Sequence, residues 1–269
     1  QYPLPVVVIS ALSDKVFDAL NVGAVDFVAK PAVSSREQLE AFIQNELLVK
    51  IKIASTANIS RIKQKAMQQE QSVLPPKGGD LVVAIGASTG GTEAIFSVVQ
   101  NFGTDIPGVV IVQHMPPGFT NMYAKRLDNQ CRVVVKEAET GDQVKPGHVL
   151  IAPGGDRHMR LVKVNGVYQV ECKAGPKVNG HCPSVDVLFD SVARVAGPKA
   201  LGIILTGMGG DGAKGLLEMR RAGARTIGQD ESTCVVYGMP KAAYDLGAVE
   251  YQEKLQDVAK RAYAVLGRM

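Results

Sequence analysis

Val82-Val83-Ala84-Ile85-Gly86-Ala87-Ser88-Thr89-Gly90-Gly91 is the stretch that decides the fold. Apolar and small residues run without a polar break and stop at a hydroxyl and a glycine pair, the pattern of a strand buried on both faces that feeds a tight turn and a helix start. The same pattern returns downstream. Gly108 to Val112 leads into Gln113-His114-Met115-Pro116-Pro117, and Ala200 to Leu205 leads into Thr206-Gly207-Met208-Gly209-Gly210-Asp211-Gly212. Buried strands alternating with helical patterns predict an α/β fold with a doubly wound, mostly parallel sheet. Between them, Arg160 to Val164 and Val167 to Val170 flank Asn165-Gly166, a pair that tolerates the positive φ values of a type I′ turn. An antiparallel β-hairpin appended to the parallel sheet is expected there.

Upstream, Pro5 to Ile9 reads as a short strand, Asp14 to Val22 as an amphipathic helix ending at Gly23, and Asp26 to Ala29 as a second strand ending at Lys30-Pro31. One βαβ unit cannot cover both faces of a parallel sheet, so the opening is expected to be the last third of an α/β domain whose beginning lies upstream. From Ser35 to about Gln71 the pattern is long, polar-rich helix with a stripe of Leu39, Phe42, Ile43, Leu47 and Ile51, and Pro75-Pro76-Lys77-Gly78-Gly79 is turn-rich. The expected organisation is therefore a domain fragment over residues 1–33, a helix and linker over 34–79, and a main domain over 80–269.

Composition narrows the function. The chain has 269 residues, 46% hydrophobic and 21% charged, which suits a globular protein rather than a disordered or fibrous one. Trp is absent and aromatics are 5%, which argues against a base-stacking nucleic-acid surface. The net charge of +4 comes from dispersed Lys and Arg, with no basic block. No apolar run approaches the roughly 18 residues that span a bilayer, and no signal-peptide pattern opens the chain, so a cytoplasmic location without membrane insertion is expected. Cys131, Cys172, Cys182 and Cys234 form no CxxC pair and have no His at zinc-binding spacing, so neither a metal nor a cofactor is called for.

In open α/β sheets, ligands bind beyond the carboxyl ends of the strands, so the residues following each buried strand are the candidates for chemistry. Ser88 follows the first, in a Gly86 to Gly90 stretch that satisfies G-x-S-x-G. That pattern reads equally as a nucleophile elbow and as an anion-binding turn, although the phosphate-loop and dinucleotide glycine patterns are missing. His114 follows the second strand, placed to take a serine proton. His148, His158 and His181 read as structural or substrate-lining. Asp211 is the carboxylate of the third loop, suited to orienting an imidazole and equally suited to capping the helix that starts at Ala213. The order Ser88, His114, Asp211 differs from that of α/β-hydrolases, in which the acid precedes the histidine.

Ile85 to Gly91, Val112 to Thr120 and Leu205 to Gly212, together with Ile151 to Gly155 and Asn179 to Asp186, resemble the signature segments of the bacterial chemotaxis protein-glutamate methylesterases, the CheB family. The resemblance runs over residues 80 to 266. It implies hydrolysis of glutamate γ-methyl esters on methyl-accepting chemotaxis receptors, with deamidation of particular glutamines, Ser88 as nucleophile, His114 as general base and acid, and Asp211 as orienting carboxylate. It further suggests the Met208 N–H, and an N–H near Thr89, as oxyanion donors. Arg126, Arg157, His181 and Asp186 are the residues expected to line the substrate groove. Ser10 and Lys30-Pro31 are similar to the switch hydroxyl and phosphate-contacting lysine of the response-regulator receiver domain that precedes the esterase in this family. A receiver remnant without its phosphoacceptor implies activity independent of phosphorylation, with the chemotaxis histidine kinase engaged only through a complete receiver. A monomer acting on the cytoplasmic helices of receptors is the expected state. The competing expectations are a nucleotide-binding α/β module and an inactive paralogue that only docks receptors.

Overall fold

The computed structural model describes residues 4–11, 13–32, 35–57 and 80–269, and the chain divides into two compact units, Gln1–Lys65 and Ala66–Met269.

In the first unit, β1 (Val7–Ser10) and β2 (Asp26–Ala29) pair in parallel around α1 (Ser13–Asn21). Val16, Phe17, Leu20, Phe27 and Val28 form its small core, with the Phe17 and Phe27 rings 6.5 Å apart. Gly23, at φ 112°, follows the end of α1 in the left-handed region that L side chains avoid, as the sequence predicts. The polar-rich segment continues as α2 (Arg36–Phe42), a wider π-helical turn at Ile43–Leu47 and α3 (Leu48–Ser55). Ser35 Oγ caps α2 by accepting from the Gln38 N–H at 3.2 Å. The second half of the expected helix and the expected junction at Pro75 to Gly79 lie outside the described residues.

The second unit is built on β3 (Val82–Ala87), α4 (Gly91–Val99), β4 (Gly108–Gln113), α5 (Phe119–Gln130), β5 (Val134–Glu137), β6 (His148–Ile151), the hairpin β7 (Arg157–Val164) and β8 (Val167–Ala174), α6 (Val185–Val195), β9 (Ala200–Ile204), α7 (Ala213–Arg221), β10 (Arg225–Gln229), α8 (Met239–Asp245), β11 (Tyr251–Glu253) and α9 (Leu255–Leu266). Seven strands form one parallel sheet in the order β11-β10-β9-β3-β4-β6-β5. Every residue of β3, β4 and β9 is buried, which is why these strands read as unbroken apolar runs. Val82, Ala84, Val110, Val112, Ala200 and Ile204 share one core cluster with side chains of α6, α7 and the hairpin. Their alternates Val83, Ile85, Val109, Ile111, Leu201 and Ile203 are equally buried and belong to the opposite face. There α4 packs against α5 and α9.

The expected antiparallel hairpin is present. Asn165 and Gly166 take φ 49° and 84°, the left-handed pair a type I′ turn needs, and β7 and β8 are each longer than predicted. The hairpin does not extend the parallel sheet. It forms its own two-stranded sheet, and its buried Met159, Leu161, Tyr168 and Val170 pack into the α6 side of the core. Burying that row of side chains stabilises more than edge pairing of a few residues, at roughly 1.5–3 kcal/mol for each large apolar group.

The chain enters the large sheet at its centre. It winds outward from β3 through β4 to β5 and β6, then returns to β9 on the other side of β3. Winding direction therefore reverses between β3 and β9, and the crevice beyond their carboxyl ends is the switch point where such folds place ligands.

Candidate active site

The ends of β3, β4 and β9 are laced together by backbone bonds. The Ser88 N–H donates to Thr206 O at 3.0 Å and the His114 N–H to Ala87 O at 3.2 Å, so the ladder itself carries Ser88 between the other two loops. A Cβ built on Gly207 would lie 2.7 Å from Ser88 Cβ and 2.3 Å from Met239 Sδ, so only glycine permits this approach of the third loop to the serine. The Gly207 carbonyl accepts from the N–H groups of Gly238 and Met239, which fixes the loop from behind. Thr206 Oγ1 donates to Thr89 O and Val236 O, tying the turn after Ser88 to the same frame.

His114 Nε2 lies 2.8 Å from Asp211 Oδ2. An ionised carboxylate only accepts, so this contact places the ring proton on Nε2 and leaves the Nδ1 lone pair as the basic site. His114 Nδ1 is buried and makes no hydrogen bond. The ring is thus turned the opposite way from the usual triad, in which the carboxylate holds Nδ1. His181 stacks on the His114 ring, centroids 3.7 Å apart and planes within 10°, closing one face of the imidazole.

Asp211 is almost fully enclosed, 1% exposed. Oδ2 also accepts from the Val185 N–H at 2.7 Å, while Oδ1 accepts from Ser184 Oγ at 2.7 Å, Asn179 Nδ2 at 2.8 Å and the Asp186 N–H at 3.3 Å. The carboxylate therefore sits on the N-terminus of α6, where backbone N–H groups and the helix dipole favour negative charge. Burial opposes its ionisation. The bonds from His114, Asn179 and Ser184 outweigh that cost and hold the carboxyl well below the usual carboxylate range. His158, buried on β7, accepts from the Ser184 N–H through Nδ1 at 3.1 Å and contacts Pro176 O through Nε2 at 2.8 Å, a structural role that props the loop under Asp211.

The remaining expected residues divide. Met208 is 47% exposed in the loop between β9 and α7, next to Gly207, which closes on Ser88. Thr89 lies buried between Ser88 and the start of α4. Asp186 is a buried residue of α6. It is 6% exposed, and its oxygens accept from Asn179 Nδ2 and the Gly215 N–H, both at 2.7 Å, because its place in the first turn of α6 turns it inward. Arg126 lies on α5 with its guanidinium 3.0 Å from Glu93 and over the Phe96 ring, both on α4. Arg157 is exposed at the start of β7 opposite Ala174. In the first unit the Lys30 N–H donates to Ser10 O at 2.9 Å, so those two residues do meet at adjacent strand ends.

Gln113 was not singled out from the sequence, yet its buried Nε2 donates to Ser88 O at 2.9 Å and His114 O at 3.2 Å. Its position as the last residue of a buried strand was the available signal, since a polar side chain there must find partners. Burial pushes the Cys131 and Cys172 thiols up to about 11, so neither competes with a serine as nucleophile near neutral pH. Among the described residues no cluster of His, Cys, Asp and Glu has the arrangement of a metal site, and no helix is long and apolar enough to cross a membrane.

Fold and site together define a doubly wound α/β protein with a serine, a histidine and an aspartate gathered at the switch point of its sheet. Residues 83–262 match the CheB methylesterase family, and the chain belongs to that family. It is 60% identical to a protein-glutamate methylesterase/protein-glutamine glutaminase of Syntrophomonas wolfei, across 100% of this chain and 78% of that protein. It is 46% identical to the corresponding protein of Sulfurimonas denitrificans, across 98% and 78%. The crystal structure of the Thermotoga maritima CheB methylesterase catalytic domain superposes with a TM-score of 0.68 at 39% identity, covering 70% of this chain and 100% of that one.

Proposed function

We propose that this chain is a protein-glutamate methylesterase and protein-glutamine glutaminase that acts in the cytoplasm on methyl-accepting chemotaxis receptors, as a monomer, through Ser88, His114 and Asp211. The observation that carries the reading is the buried His114–Asp211 contact of 2.8 Å beside the Ser88 loop, with His114 Nδ1 left unbonded. Ser88 Oγ attacks the side-chain carbonyl carbon and its proton passes to His114 Nδ1. The developing oxyanion accepts from the Met208 N–H, with the backbone at Thr89 as the second donor. Collapse breaks the C–O bond, and His114 returns the proton to the departing oxygen to give methanol; with a glutamine side chain ammonia leaves instead. Water, deprotonated by the same nitrogen, then hydrolyses the glutamyl ester of Ser88 and restores the serine. Asp211 stays ionised throughout and stabilises the imidazolium. The first unit, with Ser10 and Lys30 at its strand ends, is read as receiver-type.

The test is methanol release from methylated receptor. Ser88→Ala and His114→Gln are expected to lose at least about 1000-fold in kcat, with Asp211→Asn severe but less complete. Full activity in Ser88→Ala would sink the assignment.

A further inference from the structure

Asp186 and Asn179 sit one step behind Asp211, and their geometry carries a role of its own. Asn179 Nδ2 has two hydrogens. One goes to Asp211 Oδ1 at 2.8 Å and the other to Asp186 Oδ2 at 2.7 Å. Turning the amide over would set its oxygen against two carboxylates, so the pair of aspartates permits a single orientation. Asp186 is in turn anchored through Oδ1 by the Gly215 N–H at 2.7 Å, at the start of α7. The connected path is α7, Asp186, Asn179, Asp211, His114. Two carboxylates this close would repel without the shared donor between them, and burial followed by the charge of Asp211 raises the Asp186 carboxyl above its ordinary range.

We propose that Asn179 and Asp186 are positioning residues for the proposed esterase reaction: the amide, locked by the second carboxylate, fixes the plane of Asp211 and through it the ring of His114. With Oδ1 held by Asn179 and Ser184, Oδ2 is the oxygen left for His114 Nε2 and the Val185 N–H. Neither residue touches substrate in this role, so the effect falls on turnover rather than on binding. Four of the five donors to Asp211 survive the loss of Asn179, so the loss is partial, on the order of 10-fold, the scale of groups that orient a functional histidine from behind.

Asn179 has φ 52°, a left-handed conformation that Gly adopts freely, so Asn179→Gly removes the amide without backbone strain in an exposed turn. The experiment compares the parent chain with Asn179→Gly, Asn179→Asp and Asp186→Asn. It reads kcat and KM on methylated receptor, and separately the downfield proton resonance of the His114 Nε2–H. Expected for Asn179→Gly are an unchanged melting temperature, a roughly 10-fold lower kcat at constant KM, and an upfield, faster-exchanging Nε2–H signal. Asn179→Asp, which adds a third carboxylate, is expected to be worse than Asn179→Gly. Asp186→Asn should show the same changes and should not add to Asn179→Gly in the double variant, because both break one link. A rise in KM at constant kcat would make these residues substrate contacts and overturn the proposal. An unchanged resonance and kcat in Asn179→Gly would overturn it as well. The inference rests on the esterase reading, but the resonance needs no turnover. An inactive parent would refute that reading while the Nε2–H signal still decides this one.

Discussion

Each hydrogen on Gln113 Nε2 is donated to the carbonyl of a residue proposed for catalysis, Ser88 on one side and His114 on the other, so this one amide holds the nucleophile loop and the base loop in register. Gln113→Met keeps the volume and removes both bonds. Ser88 O retains its bond from the Gly91 N–H at 2.7 Å, so the site should loosen rather than collapse. The expected outcome is a loss of about 1–3 kcal/mol in denaturant unfolding, with kcat lowered more than KM is raised. Asp211 gives a second prediction at this scale. Its folded carboxyl titrates below the unfolded one, so it contributes stability above the unfolded pKa of about 4, and that contribution is lost as pH falls below it. Asp186, shifted the other way, carries a penalty when ionised that is relieved as pH falls. Urea midpoints of the parent should therefore drop between about pH 5 and 2, and those of Asp211→Asn should start lower and fall less steeply. An equally steep fall in the variant would count against Asp211 as the group responsible.

Among elements, α6 does the most to shape the site, and its closeness to β3 is set by glycine. A Cβ on Gly86 would lie 2.2 Å from Val185 Cγ1 and 3.2 Å from Phe189 Cζ, so the helix that caps Asp211 rests directly on the strand that delivers Ser88. Gly86→Ala should push α6 away, costing about 1–3 kcal/mol and part of the activity. Val185→Ala opens the space the new methyl needs, so the double variant should be less destabilised than the sum of the singles by at least about 0.5 kcal/mol. Strict additivity in thermal or denaturant unfolding would show that the two do not share this contact. Such contacts mark the limit of the sequence. The strand ends bearing Ser88, His114 and Asp211 were legible because a strand buried on both faces must be an unbroken apolar run, and any polar residue at its end is conspicuous. The Asn165-Gly166 turn was legible because few residues accept its φ values. Ser184, Asn179 and the inward turn of Asp186 were not, since their partners lie across the fold: Ser184 Oγ reaches Asp211 over 27 positions. Likewise the choice of Nε2 over Nδ1 for Asp211 depends on where α6 places the carboxylate, which no local pattern encodes.

At the scale of the whole molecule, the two units differ in how much they can bury. The second closes a seven-stranded sheet between helical layers, and the residues that match the CheB methylesterase family, 83–262, fall inside it. The isolated Thermotoga maritima catalytic domain, 39% identical, superposes on 70% of this chain. The first unit pairs two strands of four residues each, among its described residues, and leaves Val6 and Ile9 about half exposed. An isolated two-stranded arrangement is marginal in water because it buries too little apolar surface to offset chain entropy. Residues 80–269 produced alone should therefore unfold in one cooperative thermal transition and release methanol from methylated receptor, whereas residues 1–57 alone should give no cooperative transition. Calorimetry and circular dichroism of the two pieces decide it. A cooperative transition in residues 1–57 would mean that the β1-α1-β2 unit and its helices are self-sufficient. An unfolded 80–269 would mean that the sheet, despite burying every residue of its three central strands, depends on the residues that precede it.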